Sequence, residues 1–140
     1  LHPRVRRQRQ MCIRDRGRPF PLRDELLNLN INDWENLGVG YRAGYLYKAV
    51  RICDNVFLSN LKTCEATSKQ LDLLQTIPGV GPKVANCIAL FALKAYSAFP
   101  EDVWIKRIVN TEFNGYFDLT WCRDFAGIVQ QYMFYYGRII

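Results

Sequence analysis

The segment LLQTIPGVGPKVANCIAL, Leu73 to Leu90, constrains this chain more than any other. An apolar helical run ends at Pro78, whose ring cannot continue it. Gly79 and Gly81 bracket Val80, and Pro82 opens a second helix at the position where its missing N–H costs nothing. Glycine permits tight turns, positive φ and close approach of another group to the backbone. The first N–H groups of the second helix lack intrahelical partners and lie at the positive end of its dipole. Gly79, Val80 and Gly81 therefore suit an anion such as one DNA phosphate. The glycine spacing alone belongs equally to an ordinary tight helix–helix turn. The fuller pattern, PGVGPK with apolar helices on both sides, favours phosphate binding.

The rest of the chain from Pro19 reads as helical, and the predicted class is all-α. Pro21 opens a short helix to about Leu29. Asn32 or Asp33 caps a turn in NDWENL. Tyr41 to about Leu58 reads as one long helix with an apolar stripe of Leu46, Ala49, Val50, Cys53, Val56 and Phe57. Thr67 or Ser68 caps a helix to about Thr76. Helices follow over about Pro82–Lys94, Asp102–Thr111 and Thr120–Tyr136. No strand pairing is expected.

Charge separates the first 18 residues from the rest. The net charge is +6, but LHPRVRRQRQMCIRDRGR holds seven arginines and one acid and accounts for all of it. The basic and acidic residues beyond it cancel, so a nucleic-acid partner has to be argued from charge placement and motifs. Residues 1–18 have no apolar period. They are read as a basic leader, non-native or disordered, the alternative being a DNA-binding arm or targeting signal. Residues 19–140 are read as one helical domain. The five cysteines, Cys12, Cys53, Cys64, Cys87 and Cys122, are scattered without a CxxC, which excludes a zinc or iron–sulfur run. They are expected as reduced, small buried hydrophobes in a cytosolic compartment. No apolar run is long enough to span a membrane.

Lys83 stands in the first turn after the hairpin, where the helix dipole opposes a cation and partial burial would do the same. A Schiff-base nucleophile needs that free amine. A lone lysine at a helix start is more often a surface charge. Asp102, before VWIKRI, is a natural N-cap, and capping alone would explain it. A helix of 12 residues is about 18 Å long, and seven connecting residues span up to roughly 23 Å. The chain can therefore bring Asp102 back to the hairpin. Gln130 and Phe134, four apart in AGIVQQYMFYYGR, share a helix face. An amide and a ring so placed can hydrogen-bond and stack on a flipped base, or simply be a rim glutamine and a core phenylalanine. No Walker loop, HExxH or GxSxG is present, and the single histidine, His2, lies in the leader.

PGVGPKVANC and FPEDV together resemble the helix-hairpin-helix DNA glycosylases. The resemblance implies that Lys83 attacks the sugar carbon of the glycosidic bond, and that Asp102 assists departure of the base. A lysine–sugar Schiff base then permits β-elimination. The lysine argues against the monofunctional relatives, and the lack of a four-cysteine cluster argues against the endonuclease III and adenine-mismatch branches. LGVGYRAGYL and AGIVQQYMFYYGR resemble the 8-oxoguanine branch. By that resemblance Tyr41 wedges beside the flipped nucleotide and Arg42 contacts the opposite strand, the alternative being two solvent-facing residues at a helix start. Gln130 and Phe134 read the base, Cys87 packs on its other face, and Phe91 lines the pocket. Trp104 stands where the animal enzymes have histidine, as in the clostridial-type bacterial branch. Hairpin carbonyls hold a monovalent cation in this family, and Gln75, Ile77 and Val80 match by position. No cofactor and no iron–sulfur cluster are implied.

The resemblance covers residues 19–140. The family's N-terminal β-rich domain and asparagine-rich segment have no counterpart in the sequence. The chain is thus expected to be an incomplete, N-terminally truncated catalytic core, with exposed apolar surface and marginal stability. The implied function is excision of 8-oxoguanine from duplex DNA with AP-lyase activity, by a monomer in a bacterial-like cytoplasm, associated with the nucleoid. Three alternatives stand beside it. One is a helix-hairpin-helix fragment that only binds duplex backbone, and another is an inert fragment. The third is a glycosylase/lyase for another damaged base.

Overall fold

The computed structural model describes residues 20–139, and the basic leader lies outside them. Every regular element among the described residues is helical. The chain divides into two compact units between Val50 and Arg51. The first holds α1 (Arg23–Leu27), α2 (Ile31–Asn36), a 3-10 turn (Gly40–Arg42) and α3 (Ala43–Ile52), which runs past the division. The second holds α4 (Asn55–Thr63), α5 (Thr67–Gln75), α6 (Pro82–Ala92), α7 (Val103–Glu112), a 3-10 turn (Arg123–Phe125) and α8 (Ala126–Ile139).

In the first unit, α1 is shorter than expected. Its start is fixed by the Leu22 N–H, which donates to the Glu25 carboxylate at 2.8 Å. Asn30, rather than Asn32 or Asp33, caps α2. The Asp33 N–H donates to Asn30 Oδ1 (3.1 Å), and the Asn30 N–H donates back to the Asp33 carboxylate (2.8 Å). Asp33 is thus the third helical residue of a reciprocal capping pair. Trp34 and Ala43 are the buried apolar residues of this unit, and Arg23 Nε donates to the Val50 carbonyl (3.0 Å).

The expected long helix from Tyr41 to Leu58 is broken. Asp54 intervenes with extended backbone, and its carboxylate accepts the Phe57 N–H at 2.7 Å, starting α4 afresh. The apolar stripe is therefore split between two helices, and Val56 is 66% exposed. Thr67 does not cap α5. Ala66 holds that position without a side-chain bond, and the Thr67 hydroxyl pairs with that of Ser97 at 2.7 Å, tying α5 to the segment after α6.

The core of the second unit is Ile105, Ile108 and Met133, with Phe99, Val109, Phe117, Val129 and Phe134 packed around it. After α6, Lys94 turns the chain in the left-handed region (φ 59°), and the Ala95 N–H donates to the Ala89 carbonyl (3.0 Å). The last helix begins at Ala126 rather than Thr120, because residues 123–125 form a 3-10 turn. Two glycines set its packing. A Cβ on Gly127 would lie 2.5 Å from the Ala98 carbonyl oxygen and 2.4 Å from Leu90 Cδ1, and one on Gly137 would lie 2.5 Å from Ile108 Cδ1. Of the described cysteines only Cys122 is buried. Cys53, Cys64 and Cys87 are half-buried thiols, so the expectation of buried hydrophobes holds for one residue. Tyr116, Trp121 and Tyr132 are exposed. No helix among the described residues is long and apolar enough to cross a membrane.

These contacts predict opposite outcomes for two glycine-to-alanine changes. Gly127→Ala pushes a methyl into backbone that cannot swing aside and should destabilise by about 1–3 kcal/mol. Gly44→Ala, inside α3 with open space at its Cβ, should stabilise by roughly 0.5–1 kcal/mol. Urea melts of the two variants beside the parent chain check both signs.

Candidate active site

The hairpin forms as its residues dictate. Thr76 and Ile77 close α5 with N–H bonds to the carbonyls of Leu73 and Leu74, and the Val80 N–H donates to the Ile77 carbonyl at 3.0 Å. Gly79 takes φ 84°, a conformation in which a side chain is strained. Gly81 differs. Its backbone is extended (φ −87°, ψ 178°), and a Cβ there would meet nothing within 4 Å. The chain's own packing therefore does not require glycine at 81. Pro82 is the first residue of α6, and no side chain caps that helix. The N–H groups of Lys83 and Val84 thus face outward at a helix start.

Asp102 is the N-cap of α7. Its Oδ1 accepts the N–H groups of Trp104 (3.0 Å) and Ile105 (2.9 Å), which leaves Oδ2 for the cavity beside it. That cavity, about 250 Å³, is lined by Lys83, Cys87, Phe91, Pro100, Asp102, Gln130, Gln131 and Phe134. Helix geometry explains the set. Lys83, Cys87 and Phe91 are successive turns of one face of α6, and Gln130 and Phe134 are successive turns of α8. Gln130 is only 3% exposed, and its Oε1 accepts from Gln131 Nε2. Phe91 is 63% exposed, so the cavity is open on that side. Arg138 lies over the Phe134 ring, 5.7 Å from its centroid.

Six residues expected at the site are thus brought together: Lys83, Asp102, Cys87, Phe91, Gln130 and Phe134. Trp104 is not among them. It lines a neighbouring cavity of about 400 Å³ with Arg107, Thr111, Tyr136 and Arg138, because the second residue of α7 is rotated away from the face that its N-cap presents. Lys83 is exposed, so the expected partial burial is absent. Pro100, Gln131 and Asn86 were not expected. Asn86 Nδ2 donates to the Pro82 carbonyl (2.9 Å), and Asn86 Oδ1 accepts the Phe99 N–H (3.0 Å). Gln131 had a signal, since it adjoins Gln130. Asn86 had none, since its second partner is 13 residues away.

In the first unit, Tyr41 and Arg42 lie in the 3-10 turn before α3. Tyr41 is 77% exposed, the Arg42 guanidinium sits 4.6 Å from its ring centroid, and Tyr45 meets the ring edge-on. Among the described residues no group of three or more histidine, cysteine, aspartate or glutamate side chains is placed to hold a metal.

An amine at the start of the helix after the hairpin, an aspartate capping the next helix, and an amide with aromatic rings line one cavity, the arrangement that a helix-hairpin-helix glycosylase core would need. Comparison with known proteins points the same way. The chain is 35% identical over 121 residues to the probable N-glycosylase/DNA lyase of Methanothermobacter thermautotrophicus, covering 79% of this chain and 38% of that protein. It is 38% identical over 97 residues to the N-glycosylase/DNA lyase OGG1 of Arabidopsis thaliana, covering 65% of this chain and 26% of that protein. The Clostridium acetobutylicum 8-oxoguanine glycosylase/lyase, solved with double-stranded DNA containing cytosine opposite 8-oxoguanine, superposes with a TM-score of 0.73 at 34% identity, over 86% of this chain and 45% of that one. No family model matches. Over the part it matches, the chain is similar to 8-oxoguanine-type N-glycosylase/DNA lyases, and it spans less than half the length of these relatives.

The two hairpin glycines should respond differently to alanine. Gly79→Ala forces a side chain into positive φ and should cost about 1–2 kcal/mol. Gly81→Ala should leave the unfolding midpoint nearly unchanged. Denaturant melts measure both, and equal losses would show that Gly81 is also needed for the fold.

Proposed function

We propose that the chain carries the catalytic centre of a base-excision repair enzyme that removes 8-oxoguanine from duplex DNA and then nicks the abasic strand. The observation that carries this reading is the single cavity shared by Lys83, Asp102, Cys87, Phe91, Gln130 and Phe134. In the proposed reaction the Lys83 amine attacks C1′ of the flipped nucleotide, and the bond from C1′ to the base breaks. The base leaves with the bonding electrons and takes up a proton. Asp102 Oδ2 stabilises positive charge developing on the sugar. Ring opening gives a Schiff base between Lys83 and C1′, and loss of a proton from C2′ expels the 3′ phosphate. Gln130 hydrogen-bonds the edge of the flipped base, while Cys87 and Phe134 hold its two faces and Phe91 lines the rim.

The DNA backbone is held at the hairpin, where the outward N–H groups receive one phosphate. Gly81 supports this, since its missing side chain leaves room that the chain itself does not use. The carbonyls of Gln75 and Val80 accept no backbone hydrogen bond among the described residues, and that of Ile77 accepts one from Val80. This fits a monovalent cation that would stiffen the loop, and no step of the reaction runs through it. Tyr41 and Arg42, exposed and stacked, are proposed to contact the duplex beside the vacated position. Trp104 is proposed to act outside the base cavity. The enzyme is proposed to act as a monomer in the cytoplasm, on nucleoid DNA.

Borohydride trapping tests the chemistry. The chain should form a covalent adduct with duplexes carrying 8-oxoguanine opposite cytosine or an abasic site, and Lys83→Gln should form none. Trapping of the abasic site alone would place base recognition outside this chain. No adduct from a cooperatively folded sample would leave a DNA-binding segment without catalysis.

Asp102→Asn separates capping from catalysis. Asparagine caps a helix about as well as aspartate, so the melt should shift little while the trapping rate falls about 10²-fold or more. Gly81→Ala should weaken duplex binding roughly tenfold, about the worth of one hydrogen bond to a charged group, at unchanged stability. Binding isotherms at one fixed salt concentration read that loss.

A further inference from the structure

We propose that Asn86 is a positioning residue that sets Asp102 against Lys83. This inference rests on the reading of those two residues as the reacting pair. Asn86 is half-buried on α6, one turn beyond Pro82. Its Nδ2 donates to the Pro82 carbonyl at 2.9 Å, within the turn that bears Lys83. Its Oδ1 accepts the Phe99 N–H at 3.0 Å, three residues before Asp102. One planar amide therefore joins the backbone carrying the amine to the backbone carrying the carboxylate.

The intervening residues leave little slack. Pro100 is buried and lines the same cavity. Proline fixes its own φ and restricts the residue before it, so Phe99 is held near extended backbone. Asp102 is then pinned from the other side by the α7 N–H groups that its Oδ1 accepts. With Phe99 tied to Asn86 and Asp102 tied to α7, only Pro100 and Glu101 lie between two fixed points. The two bonds to the amide also fix its orientation, because only the nitrogen can donate to Pro82 and only the oxygen can accept from Phe99. Asn86 does not line the cavity. It acts through Asp102 and touches no reacting atom.

Losing the tie frees Phe99 and lets the carboxylate drift. A displacement of about 1 Å at a reacting pair costs about a hundredfold in rate. Asn86→Leu keeps the side-chain volume and removes both bonds. Asn86→Asp keeps the acceptor for Phe99 and removes only the donor. Three readouts on the full 140-residue chain test the proposal: single-turnover cleavage of an abasic-site duplex, affinity for that duplex, and hydrogen exchange at the Phe99 amide. Asn86→Leu should lose about a hundredfold in rate, with affinity within about threefold of the parent's, since Asn86 bonds the Pro82 carbonyl and the Phe99 N–H and uses none of the outward hairpin N–H groups. Its Phe99 amide should exchange freely. Asn86→Asp should recover most of the rate and the protection. A leucine variant that loses only thermal stability and keeps its single-turnover rate overturns the proposal, as does an unprotected Phe99 amide in the parent chain. If the parent chain itself cleaves nothing, the proposed function fails instead, and Phe99 exchange in the three proteins still decides whether Asn86 makes the tie.

Discussion

Gly127 sets how α8 meets the segment that follows α6. Its N–H donates to the Tyr96 carbonyl at 2.7 Å, and no Cβ would fit beside the Ala98 carbonyl and Leu90. The first turn of α8 is thereby seated against the segment that follows α6. Gln130 and Phe134 come three and seven residues later, one and two turns along the helix. Their reach into the cavity of Lys83 and Cys87 follows from where α8 begins. Gly137 repeats the device against Ile108 one turn beyond Phe134 and keeps α8 close to α7. Close packing of this kind transmits position, since a packed interior yields little to small displacements.

The parts of the site legible in the sequence are those whose cause is local. The hairpin follows from Pro78, Gly79 and Pro82, and Asp102 as a cap follows from its place before a helical run. The pairing of Gln130 with Phe134 follows from a spacing of four. The errors are local signals that met a competitor. Asp54 could cap a helix or ride on the surface of one, and the apolar run through Val56 and Phe57 argued for continuity. Asn30, Asn32 and Asp33 were all cap-forming types, and the reciprocal bond between Asn30 and Asp33 selected one register. Thr67 lost its capping role to a tertiary bond with Ser97. Trp104 was placed by resemblance, and the rotation of α7 assigned it to the neighbouring cavity. Asn86 was out of reach because its meaning depends on Phe99, which only the turn at Lys94 brings near.

Asp102 serves two ends through two oxygens. One holds the helix N–H groups of Trp104 and Ile105, and the other is left for the cavity. The cap fixes the carboxylate against the start of α7 before any substrate arrives. A carboxylate so fixed needs little rearrangement when positive charge appears beside it, and that is where electrostatic catalysis draws its strength. Lys83 is the opposite case. It is exposed, on a four-carbon stem, in the first turn of α6. An exposed amine beside a capped carboxylate suits the proposed reaction, in which the amine would follow C1′ through attack, ring opening and elimination while the charge stays in one place.

The openness of the cavity bears on what enters it. Phe91 stands largely in water at the rim, the Phe134 ring is half-buried, and the Gln130 amide lies buried beneath them. A planar heterocycle entering between Cys87 and Phe134 would remove apolar surface from solvent, at about 25 cal/mol for each Å² covered. Its polar edge would meet the one buried amide, whose Oε1 is already engaged by Gln131. Burial of the ring supplies affinity for any base, and the amide supplies discrimination, since a mismatched edge would leave a buried polar group unpaired. Arg138 lies over Phe134 as well, so that ring is braced by a guanidinium in addition to the core. The division is then between a general aromatic attraction at the rim and a selective contact at the floor. The proposed selection of one damaged base among many undamaged ones would require both.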